Sequence, residues 1–318
     1  MFDINGPSVI IAPQWLPERR GAFYMYFAHH RGGGIRLAVA PHPVGPWVVI
    51  TANALTINDA MYQSVDGHIA SPEAVVDETN HRIILYTHGP DRSWETHGSK
   101  GSGSKQCARV AVSDDGVHFR SLYPHCLTSS YLRAWLWGGM WYGMTSEGGQ
   151  KASSRLYRSA DGVTDLELQH RHPFEGASND YIRHVAVLRG SGSTLRVFFT
   201  RKGDCPERIL EGHIDMSREW GQWIVEGEKE VLRPVKKWEG AQEPLVASGK
   251  GSSTGRVHQL RDPFVLCVPH GTSGGRGDNW LFYAGGGEEA IGVTRLPPSS
   301  CVVPRPLSRG WYGVVVPG

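Results

Sequence analysis

The sequence predicts an all-β protein that folds as a five-bladed β-propeller with four antiparallel strands in each blade. Three observations support this fold class. Helical periodicity is scarce along the 318 residues, short apolar and aromatic runs take its place, and these runs recur in five groups of roughly 60 residues. The abundance of Gly (40) and Pro (20), beside 11 Trp and 11 Tyr, is typical of aromatic strands joined by many turns.

Each group contributes its runs in the same order, and we expect them to be the successive strands of one blade. The first runs span 7–12, 68–76, 131–137, 181–188 and 258–268. The second runs, aromatic near their ends, span 23–28, 83–87, 140–145, 195–200 and 280–284. The third runs span 35–40, 108–113, 155–159, 208–214 and 290–296, and the shorter fourth runs lie at 47–50, near 119, near 166, at 223–225 and at 311–316. A single blade cannot bury both of its faces, so the five blades are expected to pack around an axis as one domain over residues 1–318.

Composition and charge argue against several classes of partner. The formal net charge is +2 and charged residues make up 20% of the chain, so we expect no nucleic-acid and no membrane partner. The chain has no run of about 20 apolar residues, so we predict no transmembrane helix.

The cysteines and the first residues bear on redox chemistry and compartment. Five cysteines without a CxxC pair argue against a zinc or thioredoxin-type motif, and we expect reduced, mostly buried thiols. The first residues lack the form of a signal peptide, which leaves the compartment open between the cytoplasm and secretion after removal of a leader.

Side chains that are far apart in the sequence are expected to meet at one end of the channel. In an up-and-down blade, the start of the first strand and the end of the second lie at the same end, close to the axis. Three first strands open with an aliphatic residue followed by Arg, at Arg133, Arg183 and Arg261. The other candidate residues that we place near this end are His30, His68, Glu73, His88, His184, Arg201, Glu239 and Asp262.

Several segments match the strands of a known enzyme family. They are residues 23–28 (FYMYFA), 34–40 (GIRLAVA) and 45–47 (GPW) of the first group, residues 70–76 (ASPEAVV) of the second and residues 260–263 (LRDP) of the fifth. They resemble the opening blade, the second inner strand and a further inner strand, respectively, of the five-bladed glycoside hydrolases of family 43, the arabinanase and xylosidase group, and of their invertase, levansucrase and neoagarobiose hydrolase relatives. As blade architecture, the resemblance covers nearly the whole chain, and it implies a sugar-processing pocket at the axis.

The resemblance also implies roles for three carboxylates on the inner strands. Glu73 matches the carboxylate that tunes the general acid. The general base is expected in the first blade, where residues 5–8 (NGPS) hold no carboxylate and Asp3 is the alternative that could reach the axis. The general acid is expected in a later inner strand, where this chain has Arg183 and His184. No cofactor is required, although a calcium ion on the channel axis, held by a His and waters, is a further implication. No ligand cluster has diagnostic spacing, so the metal stays open.

Together these residues predict an enzyme, a glycoside hydrolase whose partner is a carbohydrate. The proton donor would be His184 or His88, because imidazole titrates near neutral pH, and the base would be Asp262 or Glu73. The three arginines and the rest of the candidate set would bind the substrate. Because a guanidinium group matches a carboxylate bidentately, we expect an acidic, uronate-containing sugar.

Two other functions remain open at this point. A lyase would cleave next to a uronate by β-elimination, with Arg neutralising the carboxylate and His removing the adjacent proton. A carbohydrate-binding propeller would use the same end of the channel without chemistry, since a fold does not fix a function. The products separate hydrolysis from elimination, because the unsaturated uronate formed by elimination absorbs in the near ultraviolet and a hydrolysis product does not.

Overall fold

Five antiparallel sheets dominate the structure, and they form the predicted five-bladed β-propeller. The computed structural model describes residues 4–29, 32–62, 67–91, 105–146, 154–164, 166–174, 181–249, 251–253, 255–270 and 277–297. Each sheet is one blade, and the innermost strands of neighbouring blades contact one another in a closed ring. The fold class predicted from the sequence is therefore confirmed.

The strands follow one another from the axis outwards in every blade. Blade 1 holds β1 (Asn5–Ile11), β2 (Phe23–Ala28), β3 (Gly34–Ala40) and β4 (Val48–Thr56). Blade 2 holds β5 (Ala70–Asp77), β6 (Arg82–Asp91), β7 (Lys105–Ser113) and β8 (Arg120–Ser121), and β9 (Thr128–Ser129) also pairs with β7. Blade 3 holds β10 (Arg133–Trp137), β11 (Met140–Ser146), β12 (Ser154–Ser159) and β13 (Glu167–Leu168). Blade 4 holds β14 (Ile182–Arg189), β15 (Thr194–Arg201), β16 (Ile209–Asp215) and β17 (Glu226–Leu232). Blade 5 holds β18 (Leu260–Pro269), β19 (Gly277–Gly285) and β20 (Ala290–Arg295).

Two 3-10 turns, Trp220–Gln222 and Lys237–Glu239, complete the elements that we describe. In the described ranges, no helix has the length and apolar character that crossing a bilayer requires. The fourth strand predicted for blade 5, at 311–316, lies outside the described residues, as do His30 and Asp3.

Five apolar clusters fill the spaces between neighbouring blades. Adjacent residues of a strand point to opposite faces, so Phe198 and Phe199 of β15 belong to different clusters, one shared with blade 5 and one with blade 3. The cluster between blades 5 and 1 closes the ring through side-chain packing. Representative partners around the ring are Leu37 and Leu85, Tyr86 and Leu132, Trp135 and Phe199, Phe198 and Tyr283, and Phe27 and Phe282.

Aromatic residues of the second strands also connect one blade to the next. The Tyr26 hydroxyl donates to the carbonyl oxygen of Gly116 (2.7 Å), in the turn after β7. The Asp115 carboxylate stabilises this turn by accepting the backbone N–H groups of Val117 (2.7 Å) and His118 (2.8 Å). The arrangement recurs one blade later, where the Tyr86 hydroxyl donates to Gly162 (2.6 Å). The repeated Ser-x-Asp-Gly turns thus receive the repeated aromatic residues of the preceding blade.

The prediction of reduced, mostly buried thiols is wrong. Cys107 and Cys126 form a disulfide between Cα atoms 5.8 Å apart, and Cys267 is also disulfide-bonded. Cys205 is a free thiol and is exposed. The pairing of Cys107 with Cys126 gave no signal in the sequence, because it depends on two short strands, β8 and β9, that both pair with β7 and have no recurring pattern.

Candidate active site

The inner strands share an irregularity at their axial ends. β1, β5, β14 and β18 each contain a register shift near their first residues. A residue with positive φ lies at each shift, namely Gly6 (57°), Ser71 (43°), His184 (40°) and Asp262 (47°). In blade 3, Tyr131 (56°) takes this conformation two residues before β10. Such backbone strain costs about 1–3 kcal/mol for each residue other than Gly and is concentrated at functional sites.

Side chains from four blades meet at this strained ring, and we name His88, Tyr131, His184 and Asp262 the axial cluster. The ring centroids of His88 and Tyr131 lie 4.1 Å apart, and those of Tyr131 and His184 lie 4.8 Å apart. Nε2 of His184 lies 3.3 Å from Oδ1 of Asp262. Three members are buried, whereas Tyr131 is partly exposed. Residues separated by up to 174 positions therefore form one contiguous polar group.

Asp262 contacts both ring nitrogens of His184. Its backbone N–H donates to Nδ1 at 3.3 Å, so the neutral ring carries its proton on Nε2, which faces the Asp262 carboxylate. Both side chains are almost fully buried, and a contact between a carboxylate and an imidazole is stronger there than in water. His184 is thereby positioned to orient Asp262 and to hold a proton beside it.

Tyr131 is surrounded by charged groups from blades 4 and 5. Burial raises the pKa of the Tyr131 phenol, and the carboxylates of Asp262 and Glu288 raise it further, while Arg183 and Arg261 oppose them. The phenol therefore stays protonated at neutral pH. At the axis, Tyr131 can donate a hydrogen bond but is a poor base.

Glu73 forms a separate buried ion pair with Arg133. Nη1 of Arg133 lies 3.1 Å from Oε2 of Glu73, which also accepts from the hydroxyl of Ser8 (3.5 Å). The backbone N–H of Ala134 donates to Oε1 at 3.4 Å. Burial raises the pKa of Glu73 to about 7, and Arg133 opposes this rise. Arg133 further donates to backbone carbonyls of blades 2 and 4 at 2.8 and 3.0 Å, so the pair connects four blades.

The other two predicted arginines also pair with buried carboxylates. Nη1 of Arg183 lies 2.9 Å from Oε2 of Glu207, and Nη1 of Arg261 lies 2.7 Å from Oε1 of Glu288. Although burial lowers the pKa of Arg261, Glu207 and Glu288 raise it above its ordinary value. The Asn5 amide donates to Glu288 at 3.4 Å, which joins blade 5 to blade 1.

The first blade uses its axial positions for packing and for support of Glu73. A Cβ at Gly6 would lie 2.9 Å from the Cα of Ser71, so a larger residue does not fit there without movement of blade 2. The hydroxyl of Ser8 accepts the backbone N–H of Ala74 at 2.8 Å. The base that the resemblance implies for this blade therefore has no counterpart at these positions, and the carboxylate at the axis comes from blade 5.

The remaining sequence candidates lie in different surroundings. The His68 ring contacts His88 edge-on at 5.8 Å and therefore borders the axial cluster. Arg201 pairs with Glu228. Glu239 accepts the Tyr283 hydroxyl (2.7 Å) and two backbone N–H groups of its own turn (2.8 Å each). The structure thus brings His68 to the axis and gives Arg201 and Glu239 other contacts.

Sequence reasoning did not propose Tyr131, Glu207 or Glu288 as site residues. The signal available for Tyr131 was its place just before an inner strand, in register with the other blade openings. Glu207 and Glu288 follow second strands, where an axial location is expected, and the aligned arginines needed anionic partners once buried.

The calcium ion implied by the resemblance stays a prediction. Calcium takes six to eight oxygen ligands. The axial cluster offers a carboxylate already in contact with His184, two imidazoles and a phenol, so waters would have to supply most of the ligands. Elsewhere, ligand atoms of Asp91, Cys107 and Cys126 lie within 4.8 Å of one another, but the two sulfurs are bonded together and Arg109 pairs with Asp91. We therefore assign no chemical step to a metal.

The architecture is that of the five-bladed hydrolase propellers, as solved structures show. An endo-arabinase from Bacteroides thetaiotaomicron superposes with a TM-score of 0.60 at 13% identity, over 93% of this chain and 94% of that one. A GH43 enzyme from Xanthomonas citri complexed with xylotriose gives 0.60 at 15% identity, over 95% and 90%. A GH32 β-fructofuranosidase from Bombyx mori gives 0.60 at 14% identity, over 95% of this chain and 62% of that one. These likenesses establish a shared fold.

A relative in sequence places the chain in a family. The chain is 31% identical over 323 residues to "Uncharacterized protein R118" of Acanthamoeba polyphaga mimivirus, over 93% of this chain and 84% of the relative. This chain belongs to the family of that mimivirus protein. No family model matches the sequence.

Proposed function

We propose that the protein is a glycoside hydrolase that cleaves an oligo- or polysaccharide at the axial cluster. The observation that carries this proposal is the buried contact between Asp262 and His184, on strained backbone beside His88 and the partly exposed Tyr131. The fold is shared with an endo-arabinase, a xylotriose-bound enzyme and a β-fructofuranosidase, which supports a carbohydrate ligand.

In this mechanism Asp262 is the base and His88 is the proton donor. Asp262 takes a proton from water as the water oxygen attacks the anomeric carbon, and His88 protonates the leaving glycosidic oxygen as the bond to that carbon breaks. The products are two shorter sugars. Because both ring nitrogens of His184 face Asp262, His184 orients the base, and the Tyr131 phenol donates a hydrogen bond to the substrate.

The hypothesis of an acidic sugar requires that the positive charge of the arginines is available to a bound substrate. Arg133, Arg183 and Arg261 each pair with a buried carboxylate, so a uronate would compete with Glu73, Glu207 or Glu288 for the same guanidinium groups. Paired panels of neutral and uronate-containing oligosaccharides test the point directly. Preference for the uronate series supports the hypothesis, and preference for the neutral series overturns it.

The decisive experiment measures new reducing ends from arabino-, xylo-, fructo- and uronate-containing oligosaccharides. We expect turnover of at least one class by the unmodified protein, and loss of that turnover in His88→Gln. The matched control is His118→Gln, an exposed histidine of the same blade that pairs with Asp115 at the far end of β7. Equal loss in both variants, or binding without any product, would contradict the proposal, and the latter would indicate a binding propeller.

A second candidate is β-elimination at a uronate. Two observations favour it: residues 5–8 of blade 1, where the resemblance implies a carboxylate, hold none, and Arg183 and Arg261 lie close enough to Tyr131 to oppose the rise of its pKa. In that reaction His88 would remove the proton adjacent to the uronate carboxylate, the C=C double bond would form as the bond to the glycosidic oxygen breaks, and the leaving oxygen would take up a proton from the Tyr131 phenol or from water. If the product absorbs in the near ultraviolet and forms without uptake of water, the reaction is elimination and the hydrolysis proposal is wrong.

A further inference from the structure

We propose that the Cys107–Cys126 disulfide positions Tyr131 in the axial cluster, and that its reduction by a dithiol releases Tyr131 and switches the site off. The positional part of this inference is independent of the reaction. Its effect on turnover rests on the proposed function.

The disulfide joins the two chain segments that carry or neighbour His88 and Tyr131. In the blade 2 sheet, Ala108 of β7 is the partner of His88, and Cys107 is the partner of the next residue, Gly89. Cys126 is five residues before Tyr131. The bridge therefore connects the strand beside one member of the axial cluster to the segment that delivers another.

The segment from Cys126 to Tyr131 has few other attachments to β7. β9 contributes two backbone pairs, Ser129 with Cys107 and Thr128 with Ala108, and the N–H of Leu127 donates to Ala108 at 2.8 Å. On the blade 3 side, the Ser129 hydroxyl donates to Thr145 (3.0 Å), the Ser130 hydroxyl donates to the carbonyl oxygen of Ser146 (3.2 Å), and the Ser146 N–H donates back to Ser130 (3.3 Å). These bonds attach the segment to β11, so its attachment to β7 consists of the short strand β9 and the disulfide. The positive φ of Tyr131 requires that its surroundings hold it in place, and the disulfide is the covalent part of those surroundings.

The geometry also lets a reagent reach the bridge from one side. Cys126 is partly exposed, whereas Cys107 is fully buried in the core between blades 1 and 2. A thiolate of the dithiol attacks Sγ of Cys126, the S–S bond breaks, and the Cys107 thiolate leaves and takes up a proton. The second thiol of the reagent then resolves the mixed disulfide, so the dithiol is oxidised and two protein thiols are formed.

The test uses the full chain with Cys205→Ser, which removes the exposed free thiol that would otherwise exchange. The measurement is the NMR spectrum of selectively labelled histidine rings, since the Tyr131 ring lies close enough to His88 and His184 to shift their signals. On reduction, and in Cys107→Ser with Cys126→Ser, we expect both signals to move towards those of histidines without an aromatic neighbour. Tyr131→Ala gives the reference positions.

The control variant is Cys267→Ser, which removes a different disulfide bond. Cys267 faces Asn279, five residues along β18 from Asp262, and its loss should leave the axial histidine signals unchanged. If thiol counting shows that Cys107 and Cys126 are free while the histidine signals stay fixed, the inference is wrong. Should the double variant fail to fold, hydrogen exchange of residues 126–131 in the reduced native chain gives the same decision.

Turnover gives the second readout. With a substrate in hand, reduction should lower kcat about 100-fold, the scale expected when a site group is displaced by about 1 Å, and reoxidation should restore it. If the histidine signals move but no sugar is ever cleaved, the positioning role of the disulfide is supported and the hydrolase proposal is contradicted. If the signals move and turnover survives, the proposed switch is wrong.

Discussion

Two buried carboxylates of the inner strands, Glu73 and Asp262, each contact a basic side chain, but Arg133 beside Glu73 and His184 beside Asp262 differ in how they handle a proton. Arg133 cannot release a proton under ordinary conditions, and it also donates to two backbone carbonyls. An imidazole, by contrast, can both donate and accept a proton through its ring nitrogens. The first pair thus holds blades together, and the second can take part in proton transfer.

The backbone makes the same distinction. Glu73 follows a register shift on regular strand geometry, whereas Asp262 and His184 are themselves the positive-φ residues at their shifts. Strain that persists at a buried site must be held by its surroundings. Of the two carboxylates, Asp262 lies on strained backbone and contacts an imidazole, so it is a better candidate for chemistry than Glu73, which accepts hydrogen bonds from several donors.

The largest effect is expected for a variant of Asp262, the carboxylate that we propose to be reactive. Asp262→Asn keeps the shape of the side chain but removes the base, so kcat should fall about 10²–10⁴-fold, the usual contribution of general acid–base catalysis. Steady-state kinetics on the substrate found in the oligosaccharide screen measures it. Asp114→Asn, an exposed carboxyl in the turn after β7, should retain full activity. An active Asp262→Asn would remove the distinction between the two pairs.

Arg133→Met tests the structural member. Because burial raises the pKa of Glu73 to about 7, the folded protein holds a proton between pH 4.5 and 7 that the unfolded chain loses, and stability falls as pH rises through this window. Without Arg133 the ionised Glu73 has lost its cation, so the free energy of unfolding should drop by about 3–5 kcal/mol at pH 8 and by less at pH 5. Urea denaturation at both pH values measures the difference.

The matched control for this prediction is Arg158→Met. Arg158 pairs with Glu167 at the surface of blade 3, and exposed ion pairs contribute little to stability. Its free energy of unfolding should stay close to that of the unmodified protein at both pH values. A loss in Arg133→Met that does not depend on pH would mean that the two carbonyl contacts, and not the ion pair, carry its effect.

His184→Gln separates positioning from chemistry. Gln also has an acceptor and a donor, but its flexible amide lacks the rigid ring that places Nδ1 and Nε2 against Asp262, so the carboxylate should lose its fixed orientation and kcat should fall about 100-fold. KM should change little, because His184 is proposed to act through Asp262. A large rise in KM at constant kcat would instead assign His184 to substrate binding.

The sequence predicted the blades well because their apolar runs recur, and the recurrence aligned Arg133, Arg183 and Arg261. It could not predict their partners Glu207 and Glu288, which come from loops without a period. Tyr131 reaches the axis through one positive φ, and Cys126 meets Cys107 because the strands on either side of it, β8 and β9, both pair with β7. The strands followed from local pattern, whereas the site was completed by loop geometry that depends on the closed ring.

The smallest effect is expected for a variant of Ser8, one of the hydrogen-bond donors to Glu73. Ser8→Ala removes the hydroxyl that accepts the Ala74 N–H and donates to Glu73, leaving a buried N–H without its acceptor, so the free energy of unfolding should fall by about 1–3 kcal/mol. Activity should stay unchanged, since Ser8 supports only the structural pair. Ser217→Ala, which removes an exposed hydroxyl bonded to Asp215, should have little effect on stability. If Ser8→Ala lowered kcat while stability held, Glu73 would belong to the reacting groups and the roles of the two pairs would have to be exchanged.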